Sequence, residues 1–548
     1  MVAAALGIGW FIANGGARAL RLDDLGWILR DGTDTSQHWL GWAFFRRAPW
    51  QLPLGAAPAY AVPLGGSLAF LDSIPLVGLL LRPLAHFLPV NFQYLGPWVA
   101  ACFALQGWFG ARLTGLFTRS FGSAVAGGSL FVASPVLLRR LGHEALCAHF
   151  LILAVLCMAL APTYDAHGAK KASRAALAVS VVAATIHPTL AAMALALSVA
   201  LLIRLRLHDR AVTTTAALGG FAAMVTLAMG VFALLGYLSG PPLSSRGFGY
   251  FSSDLLTLLN PMGWSRTLPS FPTRPGQYEG FGYLGLGTLA LLVTGCVVRL
   301  RSHHPVPWRR ILPVLLVSLL LAAFAVSTYV TLAGKKRFGT TDPFGSLAFL
   351  VAPFRASGRF IWPLHYLVLA AAVAMTCQTF RSRPVVRFVL LAGAVSLQIA
   401  DLGFDRQSAY FQGGFTPLPS VLAEEGNIAH VAMFPPRLVD ADGRGCHPEP
   451  RAGDVRGGYL AYTIGATFNS GYLSRIDLEE ATAACALEEA AVTRGDLAVD
   501  TLYLVVPAWL RAIPTEAAIC GRFGEAIACV ARGRSSPLAA ALEAARVR

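Results

Sequence analysis

The stretch EALCAHFLILAVLCMALAPTYDAHGAKKASRAALAVSVVAATIHPTLAAMALALSVALLIRLRLHDR, residues 144–210, decides the fold class. It holds three apolar runs, 144–162, 174–188 and 189–204, each near the length that crosses a bilayer as a helix. Lys170, Lys171 and Arg174 separate the first two runs, and Arg204, Arg206 and Arg210 close the third. The link between the second and third, His187-Pro188, carries no Lys or Arg. Cations at alternate turns are the mark of membrane helices whose basic loops face the cytoplasm.

The same pattern extends in both directions. Further apolar runs lie at 2–16, 92–117, 121–138, 212–238, 283–299, 311–333, 361–380 and 387–401, giving eleven predicted spans. The first is short, as a truncated or misannotated start would leave it; a signal peptide is disfavoured, because no charged region precedes it and no convincing cleavage site follows. With the N-terminus cytoplasmic, the cytoplasmic loops hold 14 Lys/Arg and only two acids, Asp165 and Asp209. The long segments 17–91, 239–282 and 334–360, and the tail from 402, then face outward. Composition agrees: 55% of the 548 residues are hydrophobic, 13% are charged, and mean hydropathy is +0.58. Soluble domains are nearer about 25% charged, so a soluble enzyme, a disordered chain and a fibre are excluded. The net charge of +15 is unevenly spread: residues 1–401 carry 31 basic and 12 acidic residues, and residues 402–548 carry 13 and 17. No zinc-finger spacing or RNA-binding signature accompanies it, which argues against nucleic acid.

The outer loops carry the chemistry. In DGTDTSQHWLGWAFFRRAPWQLPLG (31–55), Asp34 and His38 are four apart, hence on one face of a helix. A carboxylate just outside the membrane can take a proton from an acceptor hydroxyl, with the imidazole orienting it. The same residues also read as a capping box, Asp34 with Gln37 three positions on. Asp72 sits in an apolar run, where a carboxylate is costly unless paired or functional, and 69–88 reads as a re-entrant or interfacial segment. Arg139, Arg140, His143 and Glu144 lie on the side where the charge rule disfavours arginine; snorkelling at the membrane boundary is the competing reading. His187 stands at another outer helix end, a position where histidine is more often structural. The loop 239–282 adds Arg246, Asp254, Arg266 and Glu279, followed by GFGYLGLG with Tyr283. The loop 334–360 adds Asp342 and FRASGRF, whose Arg355 and Arg359 would share a helical face as a phosphate clamp. Anionic lipid headgroups are an equal claimant for that pair.

The tail, 402–548, has ordinary polarity and domain size. IAHVAMF (428–434), TLYLVVP (501–507) and AIACVA (526–531) read as buried strands and LEEATAACALEEAAV (478–492) as a helix, predicting an α/β domain. GATFNSGY (465–472) reads as a loop facing a cavity. Cys446, Cys485, Cys520 and Cys529 form an even set that fits two disulfides in an oxidising compartment, with Cys520–Cys529 the preferred local pair. A zinc site is the rival, without CxxC spacing to support it.

The layout resembles the GT-C glycosyltransferase superfamily, and within it an uncharacterised bacterial family. The resemblance is carried by D-x-x-Q-H-W-L-G-W-x-F-F-R (34–46), P-W-Q-L-P-L-G (49–55), D-S-I-P-L (72–76), R-L-G-H-E-A-L (140–146), H-P (187–188), G-F-G-Y-L-G-L-G (280–287) and R-A-S-G-R-F-I-W-P (355–363). It spans nearly the whole chain and implies an α-helical polytopic membrane protein, 1–401, with a periplasmic α/β domain, 402–548, in the bacterial inner membrane. It implies a polyprenyl-phosphate sugar donor, a glycan or lipid acceptor and inverting transfer. Asp34, aided by His38, would then be the catalytic base. Arg355, Arg359, Arg140 and Arg266 would hold the donor phosphate, and Gln37, Asp72, His143, Glu144, His187, Glu279 and Tyr283 would line the cavity. The outer loops 17–91, 239–282 and 334–360 hold no DxD metal motif; no cofactor is expected, with a divalent metal left open. The alternatives are a flippase or transporter for a lipid-linked sugar, which should show two corresponding broken-helix halves, and a non-catalytic assembly factor for lipid-linked glycans.

Overall fold

The computed structural model describes residues 1–30, 33–240, 247–300, 307–339, 351–403, 408–420, 427–449 and 452–547. Arg246 and Asp342 lie outside the described residues. Two compact units are formed. One comprises Met1–Arg21, Leu95–Val231 and Leu243–Phe411; the other comprises Leu22–Tyr94, Phe232–Pro242 and Gln412–Arg548.

The first unit is helical. Its helices include Val2–Phe11, Leu95–Gly115, Phe121–Val132, Phe150–Leu160, Ala166–Ala184, Pro188–Leu207, Leu286–Leu300, Trp308–Val326, Trp362–Thr379 and Pro384–Leu402. Thr214–Leu235 runs to its boundary. Among the described residues, five helical segments are long and apolar enough to cross a membrane: Pro188–Leu207, Thr214–Leu235, Trp308–Val326, Ser357–Thr379 and Pro384–Leu402.

Small residues set the closest packing. A Cβ on Gly7 would lie 2.1 Å from the Phe103 carbonyl oxygen, and one on Gly107 would lie 2.1 Å from that of Ala3. The helices Val2–Phe11 and Leu95–Gly115 therefore touch backbone to backbone, the approach that drives helix association where lipid removes the hydrophobic incentive.

Local chemistry explains where the helices depart from the apolar runs. The run 121–138 breaks because Pro135 lacks an N–H and disfavours helical geometry at Ser134, which is extended at φ −64, ψ 126. The Ala133 carbonyl exposed there accepts from Gln398 Nε2 at 3.2 Å, while Gln398 Oε1 receives Gly287 N at 2.9 Å. The run 174–188 starts earlier, at Ala166, because Asp165 caps the helix through Gly168 N at 2.7 Å. The run 311–333 stops as helix at Val326, and Tyr329–Leu332 pairs instead with Lys335–Gly339 as a hairpin. Buried Asp254 pins that hairpin, receiving Thr331 Oγ1 at 2.7 Å and the Ala333 and Gly334 amides at 3.1 and 3.0 Å.

The second unit combines the first long loop with the tail. Its sheet runs in the order Ala518–Phe523, Ala526–Ala531, Thr501–Val505, His430–Phe434, Thr467–Phe468. The last three strands are mutually parallel, and the helices Ala452–Ile464 and Leu478–Arg494 make the crossovers between them. This is the α/β arrangement that buried runs alternating with a helix foretold. Cys520 and Cys529 are register partners on adjacent strands and form one disulfide; Cys446–Cys485 forms the other. The first loop supplies the helix Asp34–Phe45, then irregular backbone, then Pro75–Leu81 continuing as a 3-10 helix over Arg82–Phe87. It packs directly on the tail. The Val62 amide donates to Phe468 O and the Phe468 amide to Ala59 O, both at 2.9 Å. Trp39 stacks against Tyr459 and meets Tyr462 edge-on, with ring centroids 5.9 and 5.5 Å away.

Candidate functional site

In the second unit, a cavity of about 310 Å³ opens beside the start of the helix Asp34–Phe45. That volume lies at the lower end of small-molecule sites, about 300–1,000 Å³. Thr33, Asp34, Ser36, Gln37 and Leu40 line it from the first loop together with Tyr60; Arg437, Asp454, Phe468 and Tyr472 line it from the tail. Thr33 holds the cap position without a side-chain cap bond, so Asp34 is the first helical residue and the capping-box reading does not apply. A carboxylate in a first turn is favoured by the helix dipole. Asp34 is exposed, whereas residues 35–45 are buried without exception.

His38 is buried in the same helix and lies outside that lining. One of its ring nitrogens and an Asp72 carboxylate oxygen lie within 4.8 Å of each other. Asp72 has φ +48, and the chain around it presses on the helix: a Cβ on Gly41 would lie 2.2 Å from Ser73 Oγ. Gln37 Nε2 reaches the Phe70 carbonyl at 3.3 Å.

The tail side of the cavity is built on a small sheet, Leu438–Val439 between Gly445–Cys446 and Gly471–Tyr472. Arg437 precedes it. Its amide donates to Ser470 Oγ at 2.9 Å, its carbonyl accepts from Gly471 N at 2.7 Å, and its Nη1 lies 3.4 Å from Asp454 Oδ2. Arg437 is 9% exposed, and its buried Nε makes no hydrogen bond among the described residues. Burial, reinforced by Asp454, pushes the Tyr60 hydroxyl well above its ordinary range, so it is a neutral donor at physiological pH.

The first unit gathers arginines. Glu279 Oε2 receives Arg140 Nη1 and Arg359 Nε, each at 2.8 Å, with all three side chains at most 13% exposed. Burial opposes ionisation of Glu279, but the two guanidiniums outweigh it and hold the carboxyl well below the usual range. Arg140 also lies over the Trp362 ring at 5.5 Å, and Arg139 over Trp264 and Tyr278 at 5.8 and 5.9 Å. Arg355 stacks on Phe251 at 4.9 Å. The clamp segment is two 3-10 turns, Ala352–Phe354 and Ser357–Ile361, so Arg355 and Arg359 do not share an α-helical face.

The remaining expected residues divide between structural bonds and neighbouring positions. Arg266 lies with its guanidinium against Gly403, and its amide donates to Asp401 O at 3.0 Å. Tyr283 donates to Asp401 Oδ2 at 3.0 Å. His187 caps the helix Pro188–Leu207 through Thr189 N, and its ring meets that of His143 edge-on at 5.7 Å. Glu144 accepts from Tyr410, and its carbonyl from Trp98 Nε1 at 2.9 Å. Sequence reasoning missed Arg437, Asp454 and Tyr60. PRLVDADGRG (436–445) has no periodicity or motif to set Arg437 apart, and Asp454 reads as an ordinary first-turn acid.

Among the described residues, five helical segments are long and apolar enough to cross a membrane, and the second unit bears a lined cavity. The chain belongs to a family described as Domain of unknown function (DUF6311): the family model matches residues 4–403, and that of the DUF6311 C-terminal domain matches residues 422–531. No curated protein matches the chain.

Proposed function

We propose that the chain is a GT-C-like membrane glycosyltransferase of about eleven spans that moves a sugar from a polyprenyl-phosphate donor to a cell-envelope acceptor at the outer face of the inner membrane. The observation that carries this reading is Asp34, an exposed carboxylate lining a 310 Å³ cavity furnished with hydrogen-bonding groups. Asp34 takes the proton of an acceptor hydroxyl as its oxygen attacks the anomeric carbon. The bond from that carbon to the phosphate oxygen breaks, its electrons leave with the phosphate, and configuration inverts. General-base assistance of this kind contributes about 10²–10⁴ in rate.

Arg140 and Arg359 suit the leaving phosphate. They are buried cations sharing one carboxylate, so the cluster keeps a net positive charge for an anion. Arg355 and Arg266 complete the proposed donor set, and His38, on the same helix as the base, stands beside Asp72. Two disulfides in the tail support an oxidising, periplasmic location for it. The test is Asp34→Asn, assayed for sugar transfer in membranes. Retained transfer by a normally folded variant removes the base role.

A further inference from the structure

The cavity beside Asp34 has a charge balance that selects its ligand. Among the described residues that line it, the one cation is Arg437, against two carboxylates, Asp34 and Asp454. Arg437 already faces Asp454 at 3.4 Å. A phosphate would meet two like charges and one committed guanidinium, so the site repels it. The cavity is equally unsuited to a purely apolar ligand. Arg437 and Asp454 line it as a charged pair 3.4 Å apart, and Asp34 lines it as an exposed carboxylate. Leaving such groups dry costs free energy that a ligand's hydroxyls would recover.

We infer that this cavity binds a neutral, hydroxyl-rich ring, a sugar, and that Arg437 and Asp454 of the tail are its recognition pair. A guanidinium donates to one ring hydroxyl while the adjacent carboxylate accepts from the next, a match for a vicinal diol. Tyr60, Phe468 and Tyr472 offer apolar surface for the C–H face of the ring. The pair is pre-organised: Arg437 is tied to Ser470 and Gly471, and the neighbouring strand residue Cys446 is fixed to Cys485. The inference deepens the transferase reading by naming the acceptor class, and the two can fail separately.

The experiment uses the full-length purified protein and four probes, the methyl glycosides of glucose, galactose and mannose and free N-acetylglucosamine, with inorganic phosphate as counter-probe. Binding is read by saturation-transfer NMR. The expected result is saturable binding of at least one sugar, unaffected by phosphate. Asp454→Asn should weaken it about tenfold or more, the worth of a hydrogen bond to a charged group. Ala441→Phe fills the cavity while leaving the ion pair in place, and should abolish binding with no loss of melting temperature. Absence of saturable sugar binding overturns the inference, as does binding indifferent to Ala441→Phe or displaced by phosphate. Sugar binding without any transfer by the wild-type protein leaves the cavity standing and removes the transferase. Transfer undiminished in Ala441→Phe does the reverse.

Discussion

Arg140 Nη1 lies 2.8 Å from Glu279 Oε2, and that single oxygen also receives Arg359 Nε at 2.8 Å. One carboxylate thus holds two guanidiniums that arise more than 200 residues apart in the chain. Glu279→Gln keeps the shape and removes the charge, leaving two like cations together. Breaking a buried pair costs about 3–5 kcal/mol, and a melt should show a loss of about 3 kcal/mol. The folded pKa of Glu279 is depressed, so its contribution is complete above the unfolded value of about 4.3 and is lost as pH falls. The wild type should therefore lose stability below about pH 5, and the variant should show a flatter profile there. Equal stability of the two proteins at pH 7 would contradict this.

Arg355 and Arg359 should separate in behaviour, because one stacks on Phe251 and the other binds Glu279. Arg355→Ala should lower stability by about 1 kcal/mol, the worth of a cation–π contact, and Arg359→Ala by about 3 kcal/mol. Both should weaken retention of polyprenyl phosphate, measured by mass spectrometry of co-purifying lipid. Unchanged lipid retention in both variants counts against an anion site.

Glu488 gives a pH response in the tail. Burial raises its pKa to about 7; the 2.8 Å bond from Asn469 Nδ2 opposes the rise and Glu489 adds to it. A folded pKa above the unfolded one means stability is complete below about pH 4.3 and is lost as pH rises through about 7. Glu488→Gln should leave the melting temperature unchanged at pH 4 and stabilise the protein by about 2 kcal/mol at pH 8. A variant no more stable than the wild type at pH 8 refutes the shift.

The two disulfides close loops with sequence separations of 9 and 39. By chain entropy they should contribute about 2–3 and about 4 kcal/mol. Cys520→Ser should accordingly cost less than Cys485→Ser in a non-reducing melt. All four tail cysteines should resist maleimide on intact cells until a reductant is added.

Much of this architecture was legible in the amino-acid sequence. Hydrophobic length alone marks the helices, and period and β-branching mark the strands at 430–434, 501–505 and 526–531. Local competitors hid the rest. Pro135 broke an apolar run that hydropathy reads as continuous, and Asp254 diverted 329–332 from helix to hairpin through bonds made some 77 residues away. At the site, Asp34 stands out through its spacing to His38, and it and Gln37 through the family resemblance; both are among the residues lining the cavity beside that helix. Arg437 and Asp454 do not stand out, because their proximity to Asp34 depends on the first loop packing against the tail, a contact between segments about 400 residues apart that no local pattern encodes.

The most direct test of the central claim is release of radiolabelled sugar from polyprenyl-phosphate hexoses by membranes containing the wild type or Asp34→Asn. The account predicts transfer to an acceptor by the wild type and a fall of at least about 10²-fold in the variant, with helix content and melting temperature preserved. Transfer undiminished in Asp34→Asn, or no transfer by the wild type from any such donor, would contradict it.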